Sequence, residues 1–405
     1  MLTRRFFVKG SALVMAGAGA VPSWLGRAAA ATQGKKKTLV AIFQRGAADG
    51  LSIVAPFGDK HYAELRPTIG VMPGMNTGQQ RMITNGIDLD GFFALHPQMD
   101  PLKPFWEKQQ LAIVEATGSP DPSRSHFDAQ DFMESGTPGE RGNGWLNRAL
   151  TPPSADSSPL RAVSMGSQLP RTLWGDRSAI AVADLQQYKM NDQTASIVES
   201  MYESSPDKPM ATAGKDAFAA MKIIQSLGNS APDNRAQYGP AGPFGRNLQD
   251  MAKLIKADAG VEAAFVEIGG WDHHQNEQQQ MPQLLRQFSS ALAAFCQDMG
   301  DRMEDIVLVT MSEFGRTAQE NGDNGTDHGH GSVMMVLGGS VAGGKVYGRW
   351  PGLAKEQLFE GRDLDVTTDF RAVLSELVTG HLGQKDIAQV FPGYKPGEKL
   401  GLLRS

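Results

Sequence analysis

A single cysteine, Cys296, stands in 405 residues, so no disulfide can form within the chain. It lies in the apolar-periodic stretch Leu284, Leu285, Phe288, Leu292, Phe295, Met299, where a thiol is a small buried hydrophobe rather than a nucleophile. Basic charge is scarce too: 39 Lys and Arg face 44 Asp and Glu, for a net charge of −5. Nucleic acid is therefore a poor partner, because phosphate backbones are held by clustered cations. No apolar run reaches the ~20 residues that cross a bilayer, so no stable membrane span is expected. No strand-like run ends in a G-x-G-x-x-G turn, which removes the fingerprint of a dinucleotide cofactor.

What is present begins at the first residues. Thr3-Arg4-Arg5-Phe6-Phe7-Val8-Lys9 sets two arginines ahead of apolar residues, a short Ala- and Gly-rich stretch runs from Ala12 to Val21, and Ala28 to Ala31 offers small side chains to a peptidase. This is a charged n-region, an h-region and a cleavage site, with the paired arginines of the twin-arginine route. Residues 1–31 are read as that signal, with the twin-arginine translocase as partner during export. The mature chain, 32–405, is expected in the periplasm or outside the cell. Cleavage removes Arg4, Arg5, Lys9 and Arg27 and no acid, taking the net charge from −5 to −9. Folding without disulfides suits a protein exported already folded, a route also taken by proteins loaded with a metal inside the cell.

Along the mature chain, continuous apolar runs of strand length recur at Thr38–Phe43, Leu111–Ala116, Ala263–Ile268, Ile306–Met311 and Val333–Leu337. Such runs are strands buried on both faces, the parallel-sheet pattern. Helical periodicity occupies roughly 96–109, 125–134, 214–227, 244–258, 280–302 and 367–380 between them. Alternation of this kind predicts an α/β fold, a largely parallel central sheet with helices on both faces. Residues 135–160 and 228–245, rich in Gly, Pro, Asn and Ser, read as loops or insertions within one domain.

Sites in open α/β sheets gather at the carboxyl ends of strands. After the first strand comes Arg45-Gly46-Ala47-Ala48-Asp49-Gly50, and after the second Pro122-Ser123-Arg124-Ser125-His126-Phe127-Asp128. Later strands are followed by Gly269-Gly270-Trp271-Asp272-His273-His274 and by Ser312-Glu313-Phe314-Gly315-Arg316-Thr317, and Asp327-His328-Gly329-His330 precedes the last. Five of the eight histidines fall in these segments, accompanied by carboxylates. Imidazole and carboxylate together suit zinc, manganese or iron. Bland roles compete: Asp49 beside Gly50 can cap a turn, and Ser123 or Ser125 can cap the helix that follows. A helix N-terminus also binds anions and activates a nucleophile. His61, His96 and His381 stand alone and read as structural or surface residues.

Taken together, Arg45–Leu51, Ser125-His126-Phe127-Asp128, Gly269–His274, Ser312–Thr317, Thr326-Asp327-His328-Gly329 and Thr367-Thr368-Asp369-Phe370-Arg371 resemble the domain-of-unknown-function 1501 family of exported bacterial proteins. More distantly, the order of segments is similar to the alkaline phosphatase and sulfatase superfamily, where two metals sit at strand ends beside a nucleophile. The resemblance implies an alkaline-phosphatase-like fold. It implies Asp49 as the ligand after the first strand, Ser125 or else Ser123 as nucleophile, and Asp272 with His274 on one metal, His273 competing. It further implies Glu313 in place of the superfamily's paired aspartate, and His328 or His330 closing the site from the loop that also offers Asp327 as a ligand type. Phe314 stands where that pair carries a histidine. The expected cofactor is a divalent metal, zinc or manganese, with magnesium or calcium at a second, oxygen-rich site of Asp49 and Glu313, which Ser125 can join. Pro122-Ser123-Arg124 resembles the sulfatase signature, but the formylglycine position falls on Pro120, which excludes that chemistry. The implied activity is hydrolysis or transfer on a phosphate or sulfate ester, small or polymeric. The competing expectation is an exported binding or surface-assembly protein that kept the fold and lost the chemistry.

Overall fold

A strand buried on both faces must send alternate side chains into two different cores, and the run at Thr38–Phe43 does so. The structure is a computed structural model describing residues 36–404 apart from 75–83, 139–141, 155–156, 186–198, 203 and 228–237; the signal assigned to 1–31 lies outside the described residues. The run forms β1, Thr38–Arg45. Val40 and Ile42 enter one apolar cluster, and Leu39, Ala41 and Phe43 enter another.

Eight further strands join it: β2 (Leu111–Gly118), β3 (Ala162–Met165), β4 (Ile180–Val182), β5 (Ala263–Gly269), β6 (Ile306–Met311), β7 (Ser332–Gly338), β8 (Lys345–Tyr347) and β9 (Thr368–Asp369). The spatial order is β8-β2-β7-β6-β1-β5-β3-β4, with β9 paired to β2. Neighbours from β6 to β4 pair in parallel. Only β7 opposes them, antiparallel to both β6 and β2. The fold is α/β with a largely parallel sheet.

Five longer helices are α1 (His126–Ser135), α2 (Lys208–Leu227), α3 (Gly242–Lys256), α4 (Glu277–Met299) and α5 (Phe370–Gly380). Buried Phe244, Leu248 and Met251 of α3 and Leu285, Phe288, Leu292 and Phe295 of α4 repeat every three to four residues and cover the Val40 face. Phe370, Val373, Leu374 and Leu377 of α5 cover the other. The helix expected over 96–109 is broken into a 3-10 segment, Pro97–Leu102, and a short helix, Lys103–Glu107. Pro101 and Pro104 lack the N–H groups that a continuous helix needs there. Cys296 is buried and burial pushes its thiol up, as expected of an inert side chain. No helix among the described residues is long and apolar enough to cross a membrane.

Candidate metal centre

The sheet order puts the carboxyl ends of β2, β6, β1 and β5 along one rim. Because β7 runs the other way, its amino end lies at that same rim, and so does the loop 327–330 ahead of it. Close backbone approach then draws the loops together. Gly46 has φ +117°, and a Cβ there would lie 2.8 Å from the Asp272 amide nitrogen; only glycine accepts both the conformation and the contact. A Cβ on Gly329 would lie 2.3 Å from the Arg316 carbonyl carbon.

Four side chains meet at this rim. The Nε2 atoms of His126 and His274 each lie 3.1 Å from Nε2 of His328. Asp272 Oδ1 is 3.0 Å from His274 Nε2 and 3.3 Å from His328 Nε2, and Oδ2 is 3.5 Å from His126 Nε2. Ligand atoms of His126, Asp272 and His328 all lie within 4.8 Å of one another.

Each imidazole is fixed from behind. His126 Nδ1 faces Glu313 Oε1 at 2.8 Å, His274 Nδ1 faces Asp327 Oδ1 at 3.2 Å, and His328 Nδ1 faces the Arg124 carbonyl at 2.9 Å. Carboxylate and carbonyl oxygens only accept, so each Nδ1 carries a proton, and in the neutral ring each Nε2 turns a lone pair inward. Three converging lone pairs beside a carboxylate repel one another unless a cation lies among them. Histidine ligands backed by carboxylates or carbonyls are the usual arrangement of bound zinc, and bonds of about 2.0–2.1 Å in a tetrahedron place ligand atoms roughly 3.3 Å apart. The donor set fits a divalent metal. Side-chain exposures of 24–46% for His126, His328, His274 and Asp272 leave one face of the cluster open to solvent.

Charges around the cluster are set by the same contacts. Burial raises the Glu313 carboxyl, but hydrogen bonds from His126, Gln130 and the Gly46 amide outweigh it and hold it below its ordinary value. The Glu313 bond in turn raises His126 against the effect of burial. Burial also raises Asp272, yet Arg316 overcomes this and keeps it ionised, as the His274 and Asn321 bonds do for Asp327. Burial lowers His328, which favours its neutral, ligating form.

The family described as protein of unknown function (DUF1501) matches residues 36–386. The chain belongs to the DUF1501 family. No protein of curated function matches it in sequence. Among solved structures it is similar to a protein in the alkaline phosphatase superfamily from Vibrio parahaemolyticus, with 10% identity, a TM-score of 0.34, and 81% of this chain and 71% of that one covered. It is similar also to the PsFucS1 sulfatase from Pseudoalteromonas sp., with 10% identity, a TM-score of 0.38, and 95% and 78% covered. At these scores the likeness is one of distant overall layout.

In this DUF1501 chain the candidate residues separate into two groups. Asp272, His274 and His328 reach the cluster, with Glu313 and Asp327 behind them. The others do not. Asp49 is 1% exposed, and both its oxygens are held by the Arg66 guanidinium, which also donates to Ser52 Oγ at 2.8 Å. Its Oδ1 further accepts from the Leu51 amide, capping the turn at Gly50–Ile53. Burial raises the Asp49 carboxyl, but Arg66 wins and holds it low. A buried cation already satisfies this carboxylate, and Glu313 is committed to His126, so the second, oxygen-rich metal site of Asp49 and Glu313 is not assembled. His273 is buried, its Nδ1 without a partner and its charge suppressed to a pKa of about 4 by burial and then by Arg316. His330 stacks on Phe359 with ring centroids 4.4 Å apart and is lowered by burial. Ser123 Oγ accepts from the Ser125 amide at 3.2 Å. Ser125 opens α1 in extended conformation, with no capping bond from its side chain.

His126 is the cluster member that sequence reasoning passed over in favour of its neighbouring serines. The missing histidine beside Glu313 was the available signal: Phe314 cannot pair with Glu313, so its partner had to come from elsewhere. It comes from α1, and Phe314 packs 5.0 Å from both His126 and His328 as an apolar wall.

Proposed function

We propose that the chain is an exported, metal-dependent hydrolase of phosphate or sulfate esters. The observation that carries this reading is the convergence of three Nε2 atoms on the Asp272 carboxylate, each imidazole fixed through Nδ1. His126, His328 and Asp272 would hold a divalent transition metal, zinc or manganese, with His274 beside them. When bound, such an ion lowers the pKa of an attacking oxygen and stabilises charge on the ester.

The chain's own residues supply the rest. Glu313 and the Arg124 carbonyl hold His126 and His328 in the ligating tautomer. Arg316 donates to Asp272 and keeps that carboxylate aimed and ionised. The Ser125 hydroxyl, left out of capping, stands next to a ligand at the amino end of a ten-residue helix, where the helix dipole favours an anionic group. Ser125 is the proposed nucleophile, and the amino end of α1 the seat of the ester's anionic oxygens.

The test is metal content by elemental analysis of the exported protein, followed by turnover of p-nitrophenyl phosphate and p-nitrophenyl sulfate. About one firmly held ion per chain is expected, lost in His328→Ala and Asp272→Ala. Ser125→Ala should keep the metal and the thermal midpoint while abolishing turnover. A folded chain that takes up neither zinc nor manganese would instead support the binding-protein reading. Full turnover in Ser125→Ala would remove the nucleophile assignment alone.

A further inference from the structure

Phe127 follows the ligand His126 on α1, yet its side chain is 86% exposed, the most exposed large apolar group among the described residues. An isolated exposed hydrophobe needs no explanation, but this one is not isolated. Asp131 lies one turn further along the same face of α1. Its carboxylate holds Arg171 at 2.8 Å, and the Arg171 guanidinium lies over the Trp174 ring, 4.6 Å from its centroid. Trp174 is 45% exposed and tethered by its indole N–H to the Leu169 carbonyl at 2.9 Å. An ion pair therefore links two exposed aromatic rings in a ridge that begins one residue after His126 and extends on the order of 15 Å by helix rise and side-chain reach.

Resting on the proposed ester chemistry, we propose that this ridge binds a polysaccharide chain carrying the ester group, with Phe127 and Trp174 stacking on sugar rings. The C–H face of a pyranose lies flat on an aromatic ring, and its equatorial hydroxyls reach sideways to carboxylate and guanidinium groups. The alternation of ring, ion pair and ring matches a ligand that is apolar on its faces and polar at its edges. An anionic lipid surface is the poorer occupant. Membrane-seated aromatics are flanked by Lys and Arg free to meet headgroups, whereas the cation between these rings, Arg171, is already paired with Asp131. The ridge's length beyond the cluster selects an extended ligand over a small ester.

Affinity electrophoresis of the metal-loaded mature protein through gels containing dextran, dextran sulfate or polygalacturonate tests this without requiring turnover. Retardation by at least one polymer is expected. Phe127→Ala and Trp174→Ala should each weaken that binding about tenfold, the equivalent of ~1.4 kcal/mol, and both should keep their metal. His328→Ala should lose the metal and remain retarded. No retardation by any polymer, or equal retardation of wild type and both aromatic variants, would overturn the proposal. Phe127-dependent capture by phosphatidylglycerol vesicles in place of retardation would overturn it in favour of a membrane surface. Retardation by a chain that takes up no metal would leave the ridge standing and remove the hydrolase reading, and the reverse pattern would do the opposite.

Discussion

Glu313 and Asp49 are both 1% exposed carboxylates at the rim of the same sheet, yet they do different work because their partners differ. Glu313 answers to His126, and removing its charge should act on the metal. Loss of such a backing group typically costs 10–100-fold in metal affinity, so Glu313→Gln should weaken zinc binding by about that factor, read by competition with a chromogenic chelator. Asp49 answers to Arg66, which is wholly buried. Asp49→Asn removes the carboxylate that Arg66 is hydrogen-bonded to and leaves only the neighbouring buried Glu277 as counter-charge, a loss of up to ~3–5 kcal/mol of stability. Urea denaturation should show the loss in Asp49→Asn while its metal content stays near one per chain. Equal metal loss in both variants would return Asp49 to the ligand set. Neither outcome was legible in the sequence, because Asp49 and Glu313 look alike there. Arg66 lies in a segment with no motif, and the pairing depends on a fold that brings it under the first strand's turn. His126 was hidden for a related reason: it is one residue from two serines whose roles at a helix start are easier to argue.

At the scale of elements, the long strands and the helices α1, α3, α4 and α5 were legible, because apolar runs and three-to-four-residue spacing report burial directly. The direction of β7 was not, since a run buried on both faces reads the same whether its neighbours are parallel or antiparallel. Its reversal matters: it places His328 at the rim, where a parallel strand would have carried the preceding loop to the far end of the sheet. β3, β4, β8 and β9, two to four residues each, are too short to stand out from the loops around them. The joint between β1 and β5 offers a test of how the loops hold the centre. Gly46→Ala forces a methyl against the Asp272 and Trp271 amides, 2.8 and 3.0 Å away, at a φ that costs a residue with a Cβ ~1–3 kcal/mol. Its thermal midpoint should fall, and displacement of Asp272 should cost metal as well. Gly269→Ala is the control, because nothing lies within 4 Å of its Cβ position and its φ is not positive. It should match the wild type in both readouts. Unchanged metal affinity in a destabilised Gly46→Ala would mean that Asp272 is held by Arg316 alone.

Acid stability belongs to the whole molecule, and two histidines outside the cluster contribute to it alongside His273. Burial pushes His96 and His381 down to about 4. His96 Nδ1 accepts the Gln98 amide at 3.1 Å, so a proton there would remove an acceptor and create a buried charge. His381 faces the Thr38 carbonyl through Nε2 at 3.0 Å and has no partner for Nδ1. In the unfolded chain both titrate near 6.5. Between about 6.5 and 4 the unfolded chain therefore binds more protons than the folded one. The stabilising contribution is complete above that window and is lost as the pH falls through it, at about 1.4 kcal/mol per pH unit for each histidine. His126, raised by Glu313, works in the opposite sense, and so does the shrinking negative charge of the chain. Comparison with His96→Asn cancels both, since asparagine offers the Gln98 amide an acceptor that cannot be protonated in this range. Metal-stripped wild type should lose thermal midpoint steadily from pH 6.5 to 4.5, and His96→Asn should lose it less steeply by about one proton. Parallel curves for the two proteins across that window would show that His96 is not held neutral by the fold.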